Sequence, residues 1–237
     1  MLLPSTASAQ DGSVLLEADV DGRPVGVGTL VLNPADTARV SITVRNNTNT
    51  VQRVKTVRIS GTALALTFFA YDTTVPFDVP PKSSETRRFP LDPTDLGSQA
   101  IGLLPVTVEA IDVQRDSIAS VETTGDIKGS LWSVYGAFGL GVLVLTALSW
   151  AGALIALARR RLPANRWQRA MRFLPAGIGT GLVAVISLSV LRLVAPSPTA
   201  EIPFILGAAG AALLLGYVTP HPGEQQPSEM DTVRIQR

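Results

Sequence analysis

The feature that most constrains this chain is a long stretch without charge. From Gly129 to Ala158 no residue is charged, and the run LWSVYGAFGLGVLVLTALSWAGALIALA exceeds the roughly 20 residues a helix needs to cross about 30 Å of hydrocarbon. It predicts a transmembrane helix over 130–158. Trp132 and Tyr135, near its start, have the amphipathic rings that favour the headgroup layer, and Arg159, Arg160 and Arg161 stop it. A second uncharged run, Phe173 to Leu191, predicts a helix over 173–194. A third, Ile202 to Val218, predicts one over 202–218, at the short end of the spanning range.

Charge is unevenly distributed along the chain. Only 16% of residues are charged, where about a quarter is usual in a soluble protein. Of the 19 acids, 15 precede residue 127. A soluble body over 11–125 is therefore joined to a membrane body. The segment 159–172 carries six arginines, Arg159, Arg160, Arg161, Arg166, Arg169 and Arg172, and no acid; the segment 195–201 carries one glutamate and no base. By the positive-inside rule the arginine loop is cytoplasmic. The 219–237 tail is then cytoplasmic as well, and the N-terminal body lies outside. A binding site for anionic lipid or an acidic partner is the other account of the cluster, and it is compatible with this topology.

An exported N-terminal body normally needs a signal sequence. Ala7-Ser8-Ala9 is the small-x-small pattern that signal peptidase cuts, although only Met1, Leu2 and Leu3 precede Pro4, so a charged start and an apolar core are missing. Residues 1–10 are expected to be the remnant of a signal peptide, with the mature chain starting near Gln10.

Between Asp11 and about Gly125 the apolar period is two. Val14, Leu16, Ala18 and Val20 alternate with Leu15, Glu17 and Asp19, and Val40, Ile42 and Val44 alternate with polar residues, as in half-buried strands. Turn residues punctuate the segment at Asp21-Gly22, Asn33-Pro34, Asn46 to Asn49, Val79 to Lys82 and Asp92-Pro93. Further strands are expected at 25–32, 51–59, 64–71, 86–89, 104–113 and 118–122. The apolar parity switches after Ala110, which predicts a bulge or a strand that changes sheets. About 115 residues with some seven to nine short strands fit an all-β, two-sheet sandwich of immunoglobulin type.

The strand Val40-Ser41-Ile42-Thr43-Val44 running into Arg45-Asn46-Asn47, the turn Phe77 to Ser84, and the strand Gly102 to Val108 together resemble the bacterial membrane-proximal Ig-like domains of exported envelope proteins. The resemblance covers roughly half the chain, at the level of pattern, and implies fold more than function.

Chemistry is constrained by what the sequence lacks. There is no cysteine, hence no disulfide, thiol nucleophile or thiolate metal site. The single histidine, His221, follows the third run, across the expected membrane from the β body, so no hydrolytic triad or zinc site is expected. Asp19 with Asp21 and Asp92 with Asp95 could hold calcium or act as acid and base, but both read more simply as turns. Gly26-Val27-Gly28 is too short for a phosphate loop, and Asn46-Asn47-Thr48 matches the glycosylation sequon. A formal net charge of +1 gives no nucleic-acid signal. No catalytic residue, metal or cofactor is expected.

Partner binding has two sequence signals. Ser133, Ala137 and Gly141 fall four apart in the first run and continue through Leu145 to Ser149 and Ala153. Gly177 and Gly181 form a GxxxG in the second run, and Ala208, Ala212 and Gly216 are four apart in the third. Such stripes let helix backbones approach closely, within the bundle or against a partner. The second signal is LALTFFAY, whose adjacent Phe68 and Phe69 cannot both face one core in a regular strand; the segment is either buried on both sides or offers a docking face. Arg192 ends the second run, with Glu201 across the short loop as its expected partner.

These features favour a non-enzymatic, membrane-anchored envelope protein, an accessory or scaffold subunit of a larger assembly. Its expected partners are the bilayer and another integral membrane or envelope protein, met through Ser133, Ala137, Gly141, Phe68 and Phe69. Arginine outnumbers lysine 17 to 3, which points to a GC-rich bacterium and to its cell membrane. The rivals are a transporter or channel component, which intramembrane acids would have favoured, and an adhesin or ligand-binding receptor, which aromatic loops would have favoured. Topology is directly testable because the chain has no native cysteine. Ser83→Cys should react with an impermeant maleimide in intact cells and Ser228→Cys should not; the reverse pattern would invert the assignment.

Overall fold

The computed structural model describes residues 13–159 and 161–220. The expected leader remnant 1–10, Arg160, His221 and the tail beyond residue 220 lie outside the described residues. The described chain is a β-rich region of two sheets followed by three long apolar helices. It packs as two compact units: the residues up to Phe138 together with Ile186–Pro198, and Gly139–Val185 together with the residues from Thr199.

In the first unit the strands are β1 (Val14–Val20), β2 (Arg23–Pro24), β3 (Thr29–Leu32), β4 (Ala38–Asn46), β5 (Gln52–Ala63), β6 (Leu66–Val79) and β7 (Ser83–Leu91). A four-residue helix, α1 (Leu96–Gln99), then precedes β8 (Gly102–Ile111) and β9 (Ser117–Ile127). One sheet has the order β2-β1-β4-β7 and the other β3-β9-β8-β5-β6. All pairings are antiparallel except β3 with β9. The period-two pattern sets the core: Val14, Leu16, Ala18 and Val20 of β1 and Val40, Ile42 and Val44 of β4 are buried, as are Val57 and Ile59 of β5 and Leu104, Val106 and Val108 of β8. The register of β8 on β9 shifts between Ala110 and Ile111, where the sequence parity breaks.

Several turns follow their residue chemistry. Asp21 (φ 51°) and Gly22 (φ 79°) link β1 to β2 with both residues left-handed, as a tight hairpin requires, and Gly22 N–H donates to Asp19 Oδ1 at 2.8 Å. The Asp19 and Asp92 carboxylates serve turns. Thr94 donates both N–H and hydroxyl to Asp92 Oδ1, which holds that carboxyl below its ordinary range. The sequon asparagine, Asn46, is fully buried, and its Nδ2 donates to the carbonyls of Thr50 (2.7 Å), Val79 (3.0 Å) and Pro80 (3.1 Å), so it is a structural hub.

The strand expected to start at residue 64 differs in its boundary. β5 runs on to Ala63, and Leu64 (φ 51°) and Ala65 (φ 60°) make the hairpin turn into β6. Neither residue is a turn former, so nothing in local composition marks it. In this hairpin Gly61 faces Phe69, whose ring occupies the space a Cβ at position 61 would need. On the same pair of strands Arg58 grips Asp72 with bonds of 2.7 and 2.8 Å, which keeps the Asp72 carboxyl below its usual range.

The three long helices are α2 (Val134–Ala158), α3 (Arg166–Val190) and α4 (Pro198–Val218), each long and apolar enough to cross a membrane. α2 starts four residues after the expected 130, because Ser133 caps it: Ala137 N–H donates to Ser133 O at 2.8 Å and Gly136 N–H to Ser133 Oγ at 3.2 Å. α3 starts seven residues before the expected 173, because Asn165 caps it through Oδ1, which accepts from Trp167 N–H at 2.9 Å. Arg166, Arg169 and Arg172 are thus helical, and the loop between α2 and α3 is short.

Within the second unit, glycines on both α3 and α4 let the two helices lie close together. A Cβ at Gly177 would lie 2.5 Å from Ala212 Cβ, one at Gly181 2.5 Å from Ile205 Cα, and one at Gly216 2.8 Å from Ala170 Cα. Ala153, Leu162, Phe173 and Ala212 form the apolar cluster, and Trp150 Nε1 donates to Thr180 Oγ1 at 3.0 Å.

Ile42 and Asn46 give the sharpest stability test. Ile42→Asp buries an unpaired charge, and Asn46→Ala strands buried carbonyls; each should cost the β region roughly 2 kcal/mol or more, against about 1 kcal/mol or less for Thr43→Ala. Hydrogen exchange of the β region in the full chain measures the ranking.

Candidate functional site

The first unit brings the β region together with both ends of its helical segments, and the polar and aromatic side chains that do so form its best-defined site. The chain leaves β9 at Ile127, which is fully buried. Lys128 N–H donates to Leu32 O at 3.1 Å and Ser130 N–H to Gly97 O at 3.1 Å, so the passage into α2 is held by backbone bonds. Tyr135, in the first turn of α2, is fully buried rather than set among headgroups. Its ring meets Phe68 edge-on at 4.7 Å between centroids, and Phe138 meets the same Phe68 at 5.7 Å.

The C-terminal end of α3 makes the second attachment. Ser189 is fully buried and its hydroxyl donates to Leu103 O at 2.6 Å. Gly102 allows this approach in two ways: its φ is +88°, and a Cβ there would lie 2.7 Å from Val190 Cα. The helix then ends in a Schellman motif, with Arg192 N–H donating to Ser189 O at 3.0 Å and Leu193 N–H to Leu188 O at 2.9 Å. The left-handed residue of such a motif is usually glycine; here it is Arg192, at φ +59°. Its Nε donates to Asp126 Oδ1 at 2.6 Å. The carboxylate that Arg192 grips is therefore Asp126, near the end of β9, and not Glu201 as the loop spacing had suggested. Asp126 is 17% exposed and Arg192 42%, so solvent screens the pair and its worth is about 1 kcal/mol at most.

The expected partner-binding residues separate into two groups. Phe69 is buried over Gly61, Phe68 is half-buried under Tyr135 and Phe138, and Ser133 is a buried helix cap. Ala137 and Gly141 are exposed, and a Cβ at Gly141 would meet nothing within 4 Å. The small-residue ridge is one face only locally, because each step of four residues turns about 40° around the helix; by Ala153 it has rotated into the apolar cluster. Of the arginines, Arg159, Arg161, Arg166 and Arg172 are exposed and Arg169 is buried.

Sequence reasoning missed Gly102, Asp126 and Ser189. A serine and an arginine spaced three apart at the end of an apolar run, with an acid closing the last strand, are the only local traces of the contact. Elsewhere, an open concavity of about 850 Å³ is lined by Asp19, Asp21, Arg39 and Arg88, but Asp21 Oδ1 accepts Arg39 N–H and Asp19 Oδ1 accepts Gly22 N–H, both at 2.8 Å. Among the described residues no group of three His, Cys, Asp or Glu is placed to hold a metal.

The sequence matches no protein-family model and no curated protein. Solved structures that share some shape include a Niemann-Pick type C2 protein from the Japanese carpenter ant, with a TM-score of 0.38 and 9% identity over 51% of this chain and 96% of that one. The sporulation control protein Spo0M of Bacillus subtilis has a TM-score of 0.36 and 11% identity over 56% of each chain. The alkylpurine DNA glycosylase AlkC of Pseudomonas fluorescens has a TM-score of 0.32 and 13% identity over 48% of this chain and 30% of that one. Likenesses of this size carry no argument about function.

Gly102 and Asp126 separate the two components of the attachment. Gly102→Ala should cost about 1–3 kcal/mol through its left-handed backbone, with further loss from the clash, and should speed exchange of the Arg192 and Leu193 amides. Asp126→Asn should cost less, about 1 kcal/mol at most. A larger loss from Asp126→Asn than from Gly102→Ala would show that the ion pair, and not the close approach, holds the helix end.

Proposed function

We propose that this protein is a non-enzymatic, membrane-anchored envelope protein that serves as an accessory or scaffold subunit of a larger membrane assembly. In this reading the β region is an Ig-like domain on the outer side of a bacterial cell membrane, and the arginine-rich end of the helices and the tail are cytoplasmic. Strand order supports the Ig-like part. β1, β4 and β7 follow one another in one sheet, as A, B and E do in that fold, while β9, β8 and β5 match G, F and C, with β6 beside β5 as C′. The arginine count of 159–172 supports the orientation.

The observation that carries the scaffold role is the double attachment within the first unit. Phe68 with Tyr135 and Phe138 fastens the beginning of α2, and Leu103 with Ser189 fastens the end of α3. Two attachments tie the β region to both helix ends that belong to its own unit, so a partner that binds those ends is also held against the β region, as a scaffold subunit requires. The polar side chains at this site are spent on structural bonds, which favours binding over catalysis.

With Phe68 and Phe69 engaged internally, the partner face narrows to Ala137 and Gly141. A large side chain there should block close helix approach at a cost on the order of 1 kcal/mol or more. Purification in mild detergent followed by mass spectrometry should show partners lost from Ala137→Leu and Gly141→Leu but kept by Leu140→Ala. Equal retention in all three would remove the scaffold role from this face.

A further inference from the structure

We propose that the arginine end of α3 binds the phosphate of an anionic lipid headgroup, with Arg169 at the floor of the site. The inference rests on the reading that the helices span a bilayer. Arg169 is 1% exposed, yet its partners are neutral: Nη1 donates to Pro163 O at 3.3 Å and to Ala164 O at 3.2 Å, and its buried Nε has no acceptor among the described residues. A buried guanidinium is costly unless an anion accompanies it.

The described part of the unit offers Arg169 no such anion. Residues 139–185 contain no Asp or Glu, and the single acid between 199 and 220 is Glu201. Glu201 lies in the first turn of α4. The backbone of Arg169 lies against Gly216, near the other end of that helix. Fifteen residues of helix separate the two positions, a distance of about 22 Å at 1.5 Å per residue.

The surroundings suit a phosphate. The carbonyls that Arg169 holds immediately precede Asn165, the cap of α3, so the guanidinium lies beside a helix N-terminus, where backbone N–H groups favour anions. Arg166 and Arg172 stand three residues to either side on the same helix and are exposed, and Arg159 and Arg161 close α2. Trp167, 65% exposed, meets Tyr217 edge-on at 5.8 Å. An exposed aromatic pair at a helix end is suited to the headgroup layer, so in a bilayer lipid phosphate is the anion at this height. Arginine binds phosphate with two parallel bonds, which would engage the orphan Nε.

The full chain in nanodiscs tests this, with phosphatidylcholine alone or mixed with phosphatidylglycerol, by native mass spectrometry of retained lipid. Wild type should retain phosphatidylglycerol selectively. Arg169→Gln should weaken that retention about tenfold or more, and Arg172→Gln, at an exposed position one turn along the same helix, about fivefold. Equal retention of both lipids by wild type, or undiminished selectivity in both variants, overturns the proposal. So does inorganic phosphate that stabilises the chain in phosphatidylcholine discs as well as phosphatidylglycerol does, which would assign a free anion. So does a loss of stability on neutralising Glu224, Glu229 and Asp231, which would assign the chain's own tail. Release of the chain from membranes by alkaline extraction would instead refute the spanning reading itself.

Discussion

The close approach of the α3 end to the chain at Gly102 is the contact on which the first unit depends. A helix that ends against a strand must close its last carbonyls while leaving no side chain between the two backbones. Gly102 removes the side chain, Ser189 supplies the bond to Leu103, and the Schellman turn closes the carbonyls. The turn uses arginine where glycine is cheaper, at a cost of roughly 1–2 kcal/mol for the left-handed backbone. The return is a guanidinium delivered to Asp126, which neutralises the last acid of β9 next to an apolar helix. A glycine at position 192 would relieve the backbone and leave that carboxylate without its cation.

What was legible in the sequence was what periodicity encodes. Alternation in 14–20 and 40–44 placed the core residues of β1 and β4, uncharged runs placed the three long helices, and the parity break after Ala110 marked the bulge. Features decided by partners far away in the chain were not legible. The turn at Leu64 and Ala65 uses residues with no turn preference, and the pairing of β5 with β6 compensates their left-handed backbone. Ser133 and Asn165 look like ordinary polar residues beside apolar runs until the helix that each caps is seen. Asp126 and Arg192 are far apart in sequence, and loop length alone favoured the nearer Glu201.

The helices show how one compositional signal divides into two roles. Gly177 and Gly181 let α3 lie against α4, whereas Gly141 on α2 faces open space. The spacing of four is the same in both, but a straight helix turns about 40° in each such step, so a long ridge spirals from outside to inside. A small-residue stripe therefore names a helix that permits close contact, and only the neighbours decide which part of it is already occupied.

The position of β9 has a mechanical consequence. This strand leads into α2 and lies between two others, parallel to β3 over Thr124–Ile127 and antiparallel to β8 along its length. A pull applied to the end of β9 along the strand axis is shared between those two neighbours. It loads the hydrogen bonds of both neighbours side by side, in shear, so they resist together, whereas a terminal edge strand pulled from its corner unzips one bond at a time. The chain thus leaves the β region through a strand that is paired on both sides at its exit, not through an open edge.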